Sequence, residues 1–251
     1  MTEVSGREET GSVVHDEETG MQSTIVEVRG GSQIRFTMNT TKVLEKQLAC
    51  QTVFEYVDAL GPHLAAFIEP AMEKVLPLVV FKYSEQVRNS ASFACGKLFS
   101  AAVEVCKANG NNNQFAMPFL WPCADTLVKG LKGEQHPEPR GCMAEALKDL
   151  LQACFESGGK DAKGVLQASS VALAGEQAEK VASALVEVAQ ASIERRGKKM
   201  AAFEASDELE GDEDAERLEE ELEEEVRACL IERAVVLILY RWVPPLSFSD
   251  F

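Results

Sequence analysis

The sequence predicts an all-α fold: an α-solenoid of about three antiparallel helix pairs and a final helix, with a short extended or hairpin arm near the N-terminus. Three observations carry this expectation. Hydrophobic residues make up 45% of the 251 residues and aromatic residues only 7%; thin aromatic content with abundant Ala and Leu favours helix packed on helix. Apolar residues recur at i, i+3 and i+4 spacing from near Thr41 onward. Turn signals then cut that pattern into segments that pair off every 40 to 50 residues or so, and one such pair cannot cover both of its apolar faces.

Taken in order, residues 1–22 are rich in Glu, Gly, Ser and Thr and are expected to form a disordered acidic head. "STIVEVRGGSQIRFTMN" alternates around Gly30-Gly31, which predicts an extended arm or hairpin over 23–40. The solenoid is expected over 41–205. Its first helix, over 41–60, places Val43, Leu44, Leu48, Cys50, Gln51, Phe54, Val57 and Leu60 on one apolar stripe. Gly61-Pro62 ends it, and a Pro-interrupted apolar helix follows over 62–81. Ser84 can cap a helix over 85–108. "NGNNN" is a turn, and an apolar helix carrying Trp121 occupies 114–132. After the loop "KGEQHPEPRG", a helix spans 139–156. The stretch 165–205 then reads as a short helix and a long one with Val181, Leu185, Val188 and Ile193 inward. An acidic tract over 206–225 and a C-terminal helix and tail over 226–251 complete the chain.

The helix over 85–108 has a small-residue face. Val87, Ala91, Ala94 and Leu98 recur at i, i+4, i+7 and i+11, so branched residues anchor a stripe on which alanines let a neighbouring helix approach closely. Arg88 faces sideways, within reach of polar groups in an adjacent turn. Glu85, Val87-Arg88 and the small Ala91 together form a HEAT-repeat phrase.

Charge narrows the function. The formal charge is −16, of which 204–225 carry −13 and residues 1–20 carry −5, leaving the body near +2. A nearly neutral body offers no basic surface to displace counterions, so nucleic acid is a poor partner. The seven cysteines are scattered with no CxxC, and Cys95 and Cys106 lie too far apart on one helix to bridge. Reduced core thiols of a cytosolic or nuclear protein fit this pattern. No opening segment reads as a signal peptide, and the apolar run 234–239 is too short to span a bilayer.

Catalytic and metal chemistry lack their constellations. A calcium loop beginning at Asp212 would need Gly where Arg217 stands. His15, His63 and His136 have no second ligand at metal spacing. No phosphate loop, GxGxxG or GxSxG occurs, and neither Cys50 nor Cys95 has a base on its own helix. No enzyme activity, catalytic residue, metal or cofactor is therefore expected. "ERRGKK", residues 194–199, reads as an exposed helix face rather than a localisation signal. Phe115, Phe119 and Trp121 read as core, with an outer groove for Phe-Gly repeats as the alternative. The acidic tract reads as a solvated loop and helix start, or else as a functional acidic surface.

Over 36–98 the chain resembles the importin-beta (karyopherin-beta) family. The resemblance rests on Phe36, Thr40, Glu45-Lys46, Ala49-Cys50-Gln51, Tyr56, Leu60, Pro77-Leu78, Phe81, Val87-Arg88, Ala91 and Leu98, and less strongly on "DTLVKGL", residues 125–131. The tail "YRWVPPLSFSDF" departs from it, and the family's proteins are several times longer. What the resemblance implies is a segment of a nuclear transport receptor that shuttles between cytoplasm and nucleus. It implies cargo proteins with basic localisation signals, the small GTPase Ran and Phe-Gly nucleoporins as partners, with no membrane and no nucleic acid. A HEAT scaffold for protein assembly without a transport role is the alternative.

Overall fold

The computed structural model describes residues 2–3, 13–16, 21–27, 33–110, 114–157, 171, 173 and 175–206. The acidic tract beyond Ser206 and the C-terminal helix and tail lie outside the described residues, as does most of the short helix expected after Val165.

The chain divides into two compact units, Met1–Ala49 and Cys50–Phe251. In the first, β1 (Thr2–Glu3), β2 (Val13–Asp16), β3 (Met21–Glu27) and β4 (Gln33–Asn39) form one antiparallel sheet in the order β1-β4-β3-β2. The β3–β4 pair, running from Met21↔Asn39 to Glu27↔Gln33, is the hairpin expected of the arm. Residues 1–22 were expected to lack structure, yet β1 and β2 fall among them. The hairpin edges offer unpaired backbone donors and acceptors, and the β-branched Val13-Val14 segment pairs with one of them. Asn39 ends β4 and caps the next helix, its Oδ1 accepting from the Lys42 amide at 2.8 Å.

Helix α1 (Thr40–Leu60) runs from the first unit into the second. A 3-10 turn at Gly61–Leu64 leads to α2 (Ala65–Val79), followed by α3 (Glu85–Ala108), α4 (Met117–Gly133), α5 (Pro137–Glu156) and α6 (Gly175–Ser206). Gly61 adopts φ +50°, a left-handed geometry that glycine reaches at no steric cost. Helix α2 was expected to be interrupted at its prolines; it continues through Pro70 and Pro77, giving up donors that packing on both flanks outweighs. At the other turn, Gly110 (φ +77°) closes α3, with the Asn109 amide donating back to the Val105 carbonyl.

Helix α3 packs on α5 in one layer, while α2, α4 and α6 follow one another in the second. Helix stacked on helix in this way is an α-solenoid, as expected. The α3 stripe Val87, Ala91, Ala94 and Leu98 is fully buried. The closest approach falls at Gly96, where an added Cβ would lie 3.3 Å from the Ala146 Cα on α5. Small residues on α3 thus let two backbones meet. On α6, Val181, Leu185 and Val188 face the core, but the stripe ends at buried Ser192 and Ile193 is exposed; the step from 188 to 192 keeps the i+4 register that Ile193 would break.

Helix α1 departs furthest from expectation. Of its eight stripe residues only Cys50 and Val57 are buried, while Leu44, Leu48 and Leu60 are exposed. Periodicity identifies an apolar face but not what covers it, and within this chain α1 begins the stack. Its C-terminal half meets α3 through Phe54, edge-on to Phe93 at 6.3 Å, and through Asp58, which accepts from Lys97 at 2.6 Å.

Candidate functional site at the stacked inter-repeat turns

Two turns link one helix pair to the next: residues 80–84 between α2 and α3, and residues 134–136 between α4 and α5. Ser84 accepts from the Val87 amide at 3.3 Å and starts α3, as the sequence implied. That fixes Arg88 one turn into the helix, pointing across the junction. Its Nε donates to Glu134 Oε2 at 2.6 Å, its Nη2 to Glu134 Oε1 at 3.3 Å and its Nη1 to the Phe81 carbonyl at 3.0 Å. Glu134 in turn accepts from the Gln135 and His136 amides, each at 3.0 Å, holding the start of α5.

One guanidinium therefore ties the end of α2, the start of α3, the end of α4 and the entry to α5. Both side chains are nearly buried, at 11% and 6% exposure. A two-point fork between planar groups has the directionality that isolated ammonium pairs lack. Its chemical role is positional, since every Glu134 oxygen is already committed.

Beside this clamp lies an open groove of about 410 Å³. Val80, Phe81 and Met143 supply apolar wall, and Lys82, Arg88 and Lys129 supply cationic groups. Gly130 lets Met143 pack directly against the α4 backbone, since an added Cβ would meet its Sδ at 2.7 Å. Gly133 is different: nothing lies within 4 Å of where its Cβ would be. Lys129 bonds to Asp125 at 2.5 Å and His136 Nδ1 lies 3.2 Å from Glu85, whereas Lys82 has no ionic partner among the described residues.

The remaining groups of interest are dispersed. Phe115 and Phe119 stack edge-to-face at 5.8 Å and, with Trp121, pack against the core half-buried, in keeping with the core reading. Cys50, Cys95, Cys106, Cys123 and Cys154 are buried free thiols and Cys142 is half-buried. A hydrogen bond with Cys95, then burial, raises the Cys123 thiol, and burial pushes Cys142 and Cys154 up to about 12. Such thiols stay protonated and make poor nucleophiles. His15 lies in β2, His63 in the 3-10 turn and His136 at the α5 start. Among the described residues no group of His, Cys, Asp and Glu could hold a metal, and no helix is long and apolar enough to cross a membrane. Residues 194–199 lie on α6, where Glu194 and Lys198 are exposed and Arg195 and Arg196 half-buried.

Glu134 is the functional residue that sequence reasoning missed. It sat in a loop among other acids, with no periodic cue. The available signal was the sideways-facing Arg88, which needs an anionic partner near a turn one repeat later.

Solved structures share the fold of the chain. The crystal structure of Kap121p bound to Ste12p matches 93% of this chain at 18% identity with a TM-score of 0.54. The karyopherin Kap121p bound to the extreme C-terminus of the protein phosphatase Cdc14p matches 92% at 18% identity and 0.53. Kap121p bound to RanGTP matches 92% at 14% identity and 0.56. The likeness is one of fold, a karyopherin-type solenoid. This chain spans about a fifth of the length of those chains, 20–22%. No family model and no curated protein matches the sequence.

Proposed function

We propose that the chain is a segment of a nuclear transport receptor of importin-beta type, its sequence over 36–98 resembling importin-5 (importin beta-3). The observation that carries this reading is the likeness of fold, over 92–93% of the chain, to Kap121p structures solved with Ste12p, with the extreme C-terminus of Cdc14p and with RanGTP. The Val87-Arg88 phrase noted in the sequence is what builds its junction. Function is then binding and bending without bond chemistry: many modest contacts along a flexible superhelix are gained or lost together as it changes curvature. Cargo would be proteins with basic localisation signals, drawn by the −13 charge of residues 204–225. Ran and Phe-Gly nucleoporins would be the other partners, and the receptor would shuttle between cytoplasm and nucleus.

Capture of Ran tests this. The natural polypeptide carrying this sequence, tagged and immobilised, should retain Ran loaded with GTP and release Ran loaded with GDP. Capture blind to the nucleotide would refute the transport mechanism and favour a HEAT scaffold for protein assembly.

A further inference from the structure

We propose that the groove between the two inter-repeat turns binds an extended acidic peptide of a partner protein, seating a Glu or Asp carboxylate at Arg88, Lys82 and Lys129 and an adjacent apolar side chain against Val80, Phe81 and Met143. The inference stands apart from the transport reading, whose cargo signals have the opposite charge.

The carboxylate preference follows from which charges are already spent. Glu134 is neutralised by Arg88 and has both oxygens occupied, so it offers little to attract a basic ligand. Arg88 uses one N–H each of Nε, Nη1 and Nη2; the second N–H of Nη1 and of Nη2 remains available for an acceptor in the groove it lines. Lys82 is exposed with no ionic partner among the described residues. Lys129 is 70% exposed and held by Asp125 through one short contact, a surface pair that a better-placed carboxylate can exchange at small cost. The rim therefore has cationic capacity to spare at one place.

Apolar chemistry completes the match. Val80 is 43% exposed, high for a Val beside a core, and forms one wall with the half-buried Phe81, backed by the buried Met143. Met is the side chain that adapts most readily to varied apolar partners. Open space over Gly133 leaves room for a peptide backbone to pass, which a larger residue would fill. A volume of about 410 Å³ lies within the usual range of binding clefts. A phosphate-rich strand is a worse fit, because it would need several uncommitted cations and no apolar wall.

The test uses the full 251-residue chain with methyl-labelled methionine, titrated with a fluorescent Ser/Gly peptide carrying a central Glu-Leu-Glu. Control peptides carry Lys-Leu-Lys, Glu-Ser-Glu or neutral Phe-Gly. The Glu-Leu-Glu peptide should shift the Met143 methyl signal and bind more weakly as salt rises. Lys82→Glu with Lys129→Glu should weaken it by about tenfold or more, as expected for reversed rim charges. Gly133→Trp should abolish it while thermal unfolding stays unchanged, which separates blocking from misfolding. Glu-Ser-Glu should bind several-fold more weakly. Equal binding of the basic or neutral peptide would overturn the proposal. So would an unmoved Met143 signal, or affinity indifferent to the charge reversals. Nucleotide-blind Ran capture would leave this result untouched, so the two readings fail separately.

Discussion

Replacing Arg88 with Ala removes a side chain that bonds to both inter-repeat turns. Glu134, 6% exposed, would keep its two backbone donors but lose both N–H groups of the fork, and the Phe81 carbonyl would lose the Nη1 donor. Breaking a buried ion pair from one side costs about 3–5 kcal/mol, because the surviving charge stays desolvated. The two remaining amide donors place this case at the lower end, about 3 kcal/mol. Arg88→Lys keeps the charge but reaches one partner at a time, and should cost roughly 1–2 kcal/mol. Urea unfolding of wild type, Arg88→Ala, Glu134→Ala and the double variant gives the coupling directly. We expect about 2 kcal/mol of coupling, with the double variant more stable than the two single losses combined would allow. A loss under about 1 kcal/mol for Arg88→Ala, or strictly additive effects, would refute the clamp and place the pair with ordinary surface bridges.

Other outcomes follow from the same packing. At Gly96 the neighbouring Ala146 backbone must yield, so Gly96→Leu should destabilise by about 1–3 kcal/mol. Gly96→Ala should stay within about 1 kcal/mol of wild type, since a gain in helix propensity offsets the tighter contact; urea midpoints check both. Ser84→Ala removes the acceptor for the Val87 amide and should cost about 1 kcal/mol by the same assay. The Cys154 thiol is raised by burial from 9.0 to about 12. Its stabilising share is complete below pH 9 and is lost as pH rises towards 12, because the unfolded thiol ionises first. Unfolding at pH 10.5 should therefore show about 2 kcal/mol less contribution from this group than at pH 8, a loss absent in Cys154→Ala.

Much of the helical framework could be read from the residues because its cues are local. Ser84, Gly61-Pro62 and the Asn-Gly turn mark boundaries through backbone chemistry that depends on few neighbours. The small stripe on α3 also carried its own meaning, since Ala91 and Ala94 suit only a close backbone. Exposure on α1 could not be read this way. Leu44, Leu48 and Leu60 are as periodic as any core stripe, and the difference lies in what packs against them. The groove escaped for a related reason: Val80-Phe81-Lys82, Lys129-Gly130 and Met143 are brought together only when successive repeats stack. The β1 and β2 strands were hidden because their short segments pair with a hairpin edge rather than follow a strong pattern of their own.

The most direct measurement of the account is release of cargo. A fluorescent peptide bearing a basic localisation signal, bound to the natural polypeptide that carries this sequence, is titrated with Ran in its two nucleotide states while anisotropy is followed. Ran with GTP should drive the anisotropy back to that of free peptide, while Ran with GDP should leave the peptide bound. Equal effects of the two forms, or no binding of the basic peptide at all, would contradict it.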